Sequence, residues 1–264
     1  MRILVVGAGP VGLMFCAKLS TYGHECILIE RNPLRHTLSR ASSLQPASLE
    51  CLGGFGFLPR LMAHGQRIDE LMSWDLDHGL KNSCSYDLIR DLTLYPFRLH
   101  VNQSFLRDEL IHCLQESSSC TIRDQAEVTA VVSNSLDYGV ALRVKLKGTS
   151  DLVQTLHGDC LVVSDGAKSS LRSQLGIRFE GYDLPTPVVR FSVDSIPKGL
   201  NHELAGVSYL KCSTSSVSCL KMLDGWRFIL RPTLPEVSEA LLGSSWIRDK
   251  LATTFQSLTQ PSWW

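Results

Sequence analysis

The chain opens on an apolar run closed by a glycine-rich turn: Arg2-Ile3-Leu4-Val5-Val6, then Gly7-Ala8-Gly9-Pro10-Val11-Gly12. An unbroken run rich in β-branched residues reads as a parallel strand buried on both faces. The glycines then have separate tasks. Gly7 permits the tight turn, Gly9 lets backbone N–H groups approach a pyrophosphate, and Gly12 lets the following helix pack closely on the strand. That helix is expected over Val11 to Thr21 with Val11, Met14, Phe15 and Leu19 as its apolar face, and Gly23 follows as a left-handed stop. A second apolar strand, Glu25-Cys26-Ile27-Leu28-Ile29, ends at Glu30, roughly 20 residues past the glycines, where a carboxylate accepts hydrogen bonds from a ribose diol. Strand, glycine turn, helix and acid together predict a dinucleotide site. A signal peptide would also begin with Arg2 and an apolar stretch, but the glycines and Pro10 interrupt its core, and the strand ending in Glu30 would be left without a purpose.

Composition narrows the partners. With 264 residues and 44% hydrophobic content the chain is long enough for more than one packing unit. Lys+Arg and Asp+Glu are 26 each, which removes the electrostatic case for nucleic acid or an anionic membrane surface. No apolar run reaches bilayer length, so no transmembrane segment is expected. The nine cysteines are odd in number and form no CxxC pair, which fits reduced thiols and a cytoplasmic location better than a disulfide frame or a zinc site. The eight histidines are scattered without an HExxH-like pair, so no metal site is expected; His100 and His157 read as surface or satisfied core.

Further along, Arg31-Asn32-Pro33 opens a long polar loop carrying Arg35 and Arg40, both expected to face the glycine turn or else to be solvated loop charges. Pro46 starts a helix with Leu49 and Leu52, closed by Gly53-Gly54. Residues 55 to 100 are poorly patterned, with a strand at Leu71 to Asp77. A helix is expected over Asn102 to Glu116 with Leu106, Leu110, Cys113 and Leu114 on one face. Alternating runs at 127–132, 141–146 and 152–156 predict a β-meander feeding the strand Cys160-Leu161-Val162-Val163. That strand ends in Ser164-Asp165-Gly166-Ala167-Lys168-Ser169-Ser170-Leu171-Arg172, a turn into a short helix, where parallel sheets collect ligands. Beyond Pro185 four runs, 188–193, 205–210, 217–223 and 226–230, predict an antiparallel sheet whose last hairpin turns at Asp224-Gly225 as type I′. A helix is expected over Pro235 to Leu258.

Three stretches in this order, Gly7-x-Gly9-x-x-Gly12 with Glu30-Arg31, the Arg40-Ala41-Ser42-Ser43-Leu44-Gln45-Pro46 loop, and Val162 to Arg172, resemble the FAD-dependent aromatic hydroxylases. These are single-component flavoprotein monooxygenases of the p-hydroxybenzoate hydroxylase type. The resemblance implies an α/β fold: a Rossmann-type FAD-binding domain with parallel sheet and meander over 1–184, then a smaller antiparallel substrate domain over 185–264. It implies FAD as cofactor, NADPH or NADH as co-substrate, and hydroxylation or epoxidation of an aromatic or polyketide-like small molecule, with secondary metabolism as a setting. By resemblance the cofactor residues are Gly7, Gly9, Pro10, Val11, Gly12, Glu30, Arg31, Arg40, Gln103, Asp165 and Gly166. Gln103 is placed at the ribityl chain and Arg40 at the pyrophosphate. The flavin does the chemistry, so the protein needs no catalytic triad, and no catalytic residue is singled out. Ser164 departs from the Gly or Ala of relatives. The family's Gly-Asp motif lies after the substrate sheet and this chain ends before it, which implies weakly held FAD and leaves either a longer native protein or a redox-silent cyclase, isomerase or binding module as the expectation. An NAD-dependent dehydrogenase leaves the Arg40 loop and the Asp165 turn without a role.

Overall fold

A computed structural model describes residues 1–34, 42–135, 139–147, 152–183, 188–196, 204–211 and 216–231. The expectations for Arg35, Arg40, Ala41 and the helix at 235–258 lie outside the described residues. In chain order the elements are β1 (Arg2–Val6), α1 (Pro10–Thr21), β2 (Glu25–Ile29), β3 (Ser43–Leu44), α2 (Pro46–Leu52), α3 (Leu58–Ala63), β4 (Gln66–Ile68), β5 (Glu70–Asp75) and β6 (Gly79–Ser85). Then come β7 (Arg98–His100), α4 (Gln103–Gln115), β8 (Cys120–Arg123), β9 (Ala126–Ser135), β10 (Gly139–Leu146), β11 (Val153–Gly158), β12 (Cys160–Val163) and α5 (Ser170–Gln174). The last four are β13 (Val189–Val193), β14 (Val207–Lys211), β15 (Ser216–Met222) and β16 (Gly225–Arg231).

Contacts divide the chain into two compact units, one of Met1–Ala41 with Asn102–Gly181 and one of Ser42–Val101 with Tyr182–Trp264. The first is an α/β unit. Its parallel sheet has the order β12-β1-β2-β8, so β1 lies between two strands that come later in the chain. Side chains alternate across the sheet. Leu4, Val6, Ile27 and Ile29 pack on the meander β9-β10-β11 through Val128, Leu142 and Val144. The opposite face receives α1, which also packs on α4. β1 pairs β12 across a long span of chain: the Arg2 N–H donates to Asp159 Oδ2 at 2.7 Å, 157 residues away.

One reading of α1 is corrected. Its buried residues are Gly12, Leu13, Cys16 and Ala17, while Val11 is 69% and Phe15 40% exposed. The small side chains at 12 and 17 let the helix axis come near the sheet, and that closeness selects the buried stripe over the larger residues one position earlier. On α4 the buried set is Leu106, Arg107, Leu110, Ile111 and Leu114, with Cys113 only partly covered.

The second unit is built on a six-stranded sheet, β13-β16-β15-β14-β5-β6, and a three-stranded one, β3-β7-β4. All pairings in the large sheet are antiparallel except β5 with β14, which is parallel. On one face Trp226, Phe228, Leu230, Val217 and Cys219 form a core, with Phe191 stacked on Phe228 at 5.5 Å. On the other face Val207 and Leu220 pack on Ile68. The hairpin between β15 and β16 is present, but its turn is not type I′. Met222 pairs with Gly225, so Leu223 and Asp224 are the central residues, and neither has the positive φ that a type I′ turn requires. The positive φ, 141°, falls on Gly225, where a Cβ would lie 2.4 Å from the Val193 carbonyl oxygen. Close approach to β13 is thus what demands glycine there.

Candidate functional site

The site lies in the first unit, at the carboxyl ends of β1, β2 and β12. The turn after β1 is fixed by its neighbours. Gly7 has φ 102°, and a Cβ on it would lie 2.4 Å from the Ser164 carbonyl oxygen; one on Gly12 would lie 2.0 Å from the Gly7 carbonyl oxygen. Both positions are therefore closed to any side chain by backbone atoms that cannot swing aside. Gly9 is different, because a Cβ there would meet nothing within 4 Å. Its missing side chain leaves a cradle open to a ligand.

Gly9 is also the N-cap of α1, with no side-chain cap, and Pro10 occupies the first turn. The free N–H groups of that turn, together with the helix dipole and the lack of an acidic residue in it, suit an anion. Glu30 closes the turn from the side. Its Oε2 accepts from the Ala8 N–H at 2.8 Å and its Oε1 from the Asn32 N–H at 2.9 Å. Each carboxylate oxygen keeps lone-pair capacity for a further donor.

Ser164 joins β12 to the same turn. Its hydroxyl lies 2.9 Å from the Val6 carbonyl oxygen and 3.1 Å from that of Gly7, and it donates into this pair. This side chain thus serves as a clamp between the two strand ends. Ser164→Ala is expected to lower stability by about 1 kcal/mol, read as a shift in the urea midpoint at unchanged slope. Next to it, Asp165 Oδ1 is buried without a hydrogen-bond partner among the described residues. A buried acceptor in that state is costly and signals a donor supplied from outside the chain. After Gly166, whose φ is 93°, Ser169 caps α5 by accepting from the Arg172 N–H at 2.9 Å, and Arg172 lies over the Phe179 ring at 4.1 Å.

A cavity of about 380 Å³ runs over these groups. It brings together Gly7, Gly9, Pro10, Val11, Glu30, Arg31, Gln103, Asp165 and Gly166 from the sequence-derived set. Gly12 sits beneath the turn as a packing residue, and Arg40 lies outside the described residues. Three further features were not foreseen. Arg107 is 6% exposed, lines the cavity four residues after Gln103, and donates from Nη2 to the Leu34 carbonyl oxygen at 2.8 Å. The spacing of four on one helix face was the available signal. Asn32 and the start of β9 also contribute wall. Among the described residues no group of His, Cys, Asp and Glu could hold a metal, and no helix is long and apolar enough to cross a membrane.

The open cradle at Gly9, the uncapped helix terminus and the orphaned Asp165 oxygen fit the phosphates and hydroxyls of a flavin dinucleotide. The comparisons with known proteins agree. Residues 1–240 match the family model described as FAD binding domain. Pentachlorophenol 4-monooxygenase of Sphingobium chlorophenolicum is 28% identical over 192 residues, covering 71% of this chain and 34% of the relative. An uncharacterized aromatic compound monooxygenase of Bacillus subtilis is 31% identical over 187 residues, covering 68% and 34%. The chain thus spans about a third of the length of these relatives. Among solved structures, p-nitrophenol 4-monooxygenase from Pseudomonas putida superposes with a TM-score of 0.82 at 20% identity, covering 97% of this chain and 62% of that one. The flavin-dependent monooxygenase PieE, in complex with FAD and substrate, gives 0.78 at 21%, covering 99% and 47%.

Proposed function

The chain belongs to the FAD binding domain family of aromatic monooxygenases, and from that membership we propose that it binds FAD at the glycine turn and serves oxygen insertion into an aromatic or polyketide-like small molecule. The observation that carries the reading is the single cavity in which the Gly7–Val11 turn, Glu30, Gln103 and Asp165 converge. FAD held by these residues would supply the redox chemistry, hydride acceptance from NADPH or NADH and activation of O2.

The residues of the chain bind and orient. The first turn of α1 receives the pyrophosphate, with Gly9 permitting close approach. Glu30, already held by two backbone N–H groups, accepts from the adenosine ribose, and Asp165 Oδ1 accepts a cofactor hydroxyl. Gln103 and Arg107 face the same cavity from α4, Gln103 toward the ribityl chain and Arg107 holding the loop after Arg31 through Leu34. Arg31 and Gly166 line the walls. The large sheet of the second unit serves the substrate, and β5 and β6 belong to it because β5 pairs with β14. A cytoplasmic location accords with the eight described cysteines, all free thiols.

Titrating the purified chain with FAD, followed by anaerobic addition of NADPH or NADH and then of O2, tests this. Saturable binding, bleaching of the flavin band by the nicotinamide and its return with oxygen are expected. Binding without bleaching would favour a redox-silent family member, and no binding would overturn the reading. Glu30→Ala is expected to weaken FAD by about 1–3 kcal/mol, measured by fluorescence quenching of the free flavin; unchanged affinity would remove Glu30 from the ribose.

A further inference from the structure

One face of the large sheet in the second unit gathers cations. Strand register decides which side chains share that face. Arg190 on β13 lies opposite Ile229 on β16, and Arg227 and Arg231 stand two residues to either side of Ile229. Arg190 is therefore the diagonal neighbour of both, at about 7–8 Å between Cα atoms, a gap long side chains can span. On the other side of β16 the row through Ile229 continues to Ser218 on β15 and Tyr209 on β14. Arg231 Nη1 donates to Ser218 Oγ at 3.2 Å, and that hydroxyl, 4% exposed, keeps its own proton to donate. Among the described residues, the strand positions of this face hold one carboxylate, Asp75 of β5. It lies three strands from Arg231, on the order of 14 Å away, and is engaged by His78 at 3.0 Å and Lys81 at 3.9 Å.

Solvated surface charge does not account for the group. Arg190 and Arg231 are exposed, but Arg227 is half-buried on a strand with neighbours on both sides. Burial and the Arg190 charge both disfavour its charged form, and Asp224 in the β15–β16 turn offsets them in part. Like charges gathered this closely destabilise the sheet, and an anion seated among them removes that cost. Apolar surface adjoins them: Ile229 is half-buried between the arginines, and Tyr209 is 41% exposed.

We propose that this face takes the acid group of the substrate, with Arg190, Arg231 and Ser218 holding a carboxylate and Ile229 and Tyr209 receiving its apolar body, so that the substrate class is an aromatic or polyketide-like organic acid. The inference rests on the function proposed above, in which the large sheet serves the substrate. A guanidinium presents paired donors in one plane, matching the two oxygens of a carboxylate, and the serine hydroxyl adds a further donor. The neutral amide of the same acid has one oxygen fewer to accept and no counter-charge to offer, so the face discriminates against it. The phosphates of a nucleotide are the competing occupant; Ile229 at the centre of the triangle favours an acid with an apolar body.

The test is calorimetry on the full chain, with and without saturating FAD, in a phosphate-free buffer. The probes are benzoate, 3-phenylpropionate and 2-naphthoate, each beside its primary amide. Expected is saturable binding of an acid at least on the order of tenfold tighter than that of its amide, weakening as salt is raised. Arg190→Gln and Arg231→Gln should each remove most of this preference, while Arg178→Gln, an exposed cation beside Glu180 in the first unit, should leave it intact. FAD affinity should be the same in all three variants, because the glycine turn belongs to the first unit. Absence of FAD binding with the acid preference present and lost in the two variants would sink the flavin reading and leave this site standing. Equal affinity for acid and amide, no binding of any acid, or a preference retained in both variants overturns the proposal. NADPH that displaces the acid and itself loses affinity in Arg190→Gln and Arg231→Gln also overturns it, by giving the arginines to a nucleotide.

Discussion

Gly12→Ala is expected to destabilise the chain before any cofactor is involved, and Gly9→Ala to leave the fold intact while losing the cofactor. The two substitutions add the same methyl group three residues apart. At Gly12 that carbon would stand 2.0 Å from the Gly7 carbonyl oxygen and 2.6 Å from Ser164 Oγ. The serine could rotate, but the carbonyl belongs to a turn held by the Gly7 N–H on Ile29 O at 2.8 Å, so α1 itself must move off the sheet. Overpacking of this kind costs about 3 kcal/mol or more, a drop of about 6–12 °C in Tm for a protein of this size. At Gly9 the methyl enters open space, φ is −70°, and stability should change by less than about 1 kcal/mol. That open space is where a pyrophosphate would approach, so FAD affinity should fall at least about tenfold, or about 1.4 kcal/mol. Thermal melts of both apo proteins with flavin titrations of Gly9→Ala check the pair. Equal melting temperatures for Gly12→Ala and the parent chain would refute the packing argument, and unchanged FAD affinity in Gly9→Ala would refute the cradle.

The second large effect is acid sensitivity centred on His100 in the other unit. This side chain is fully buried on β7, its Nδ1 lies 2.7 Å from the Lys221 carbonyl oxygen, and its Nε2 has no partner among the described residues. The carbonyl requires the proton on Nδ1. Burial, opposed in part by that hydrogen bond and reinforced by Arg98 and Arg227, lowers the pKa from 6.5 to about 4. The folded chain therefore refuses a proton that the unfolded chain accepts. Stability from this group is complete above pH 6.5 and is lost as pH falls toward 4, by about 3 kcal/mol in all. His100→Gln keeps an N–H for the Lys221 carbonyl and cannot titrate. Urea unfolding between pH 7 and 4.5 should show the parent chain losing stability relative to the variant; parallel curves would show that His100 has no such shift.

What could be read in the sequence was whatever a short stretch specifies alone. The Gly7-Gly9-Gly12 turn, Glu30 and the Asp165-Gly166 turn announce themselves, because each is a local steric or charge requirement at fixed spacing. Pro46 and the β9–β12 runs are legible for the same reason. The buried stripe of α1 was misjudged because ranking by hydrophobicity favours Val11 and Phe15, whereas close packing on the sheet favours Gly12 and Ala17. Arg107 escaped notice because a cation on an amphipathic helix reads as surface unless its carbonyl partner, Leu34, is known to lie opposite. The parallel pairing of β5 with β14 joins residues 71 and 207, and no local pattern encodes such a partner. The turn at Leu223-Asp224 was placed one residue late because the Asp-Gly dipeptide suits a type I′ turn, while here the glycine is needed against β13.

The position of β1 between β2 and β12 also sets a timetable. During synthesis β2 arrives soon after β1, but the strand that covers its other edge begins 157 residues after Ile3 pairs with it. At about 5–20 residues per second, Ile3-Leu4-Val5-Val6 waits on the order of 8–30 s with one row of backbone donors and acceptors exposed on an apolar, β-branched segment. Such an edge is a template for another nascent chain. Until β12 docks, Ser164 and Asp165 cannot reach the glycine turn either, so cofactor capture and escape from aggregation fall at the same late moment on the ribosome.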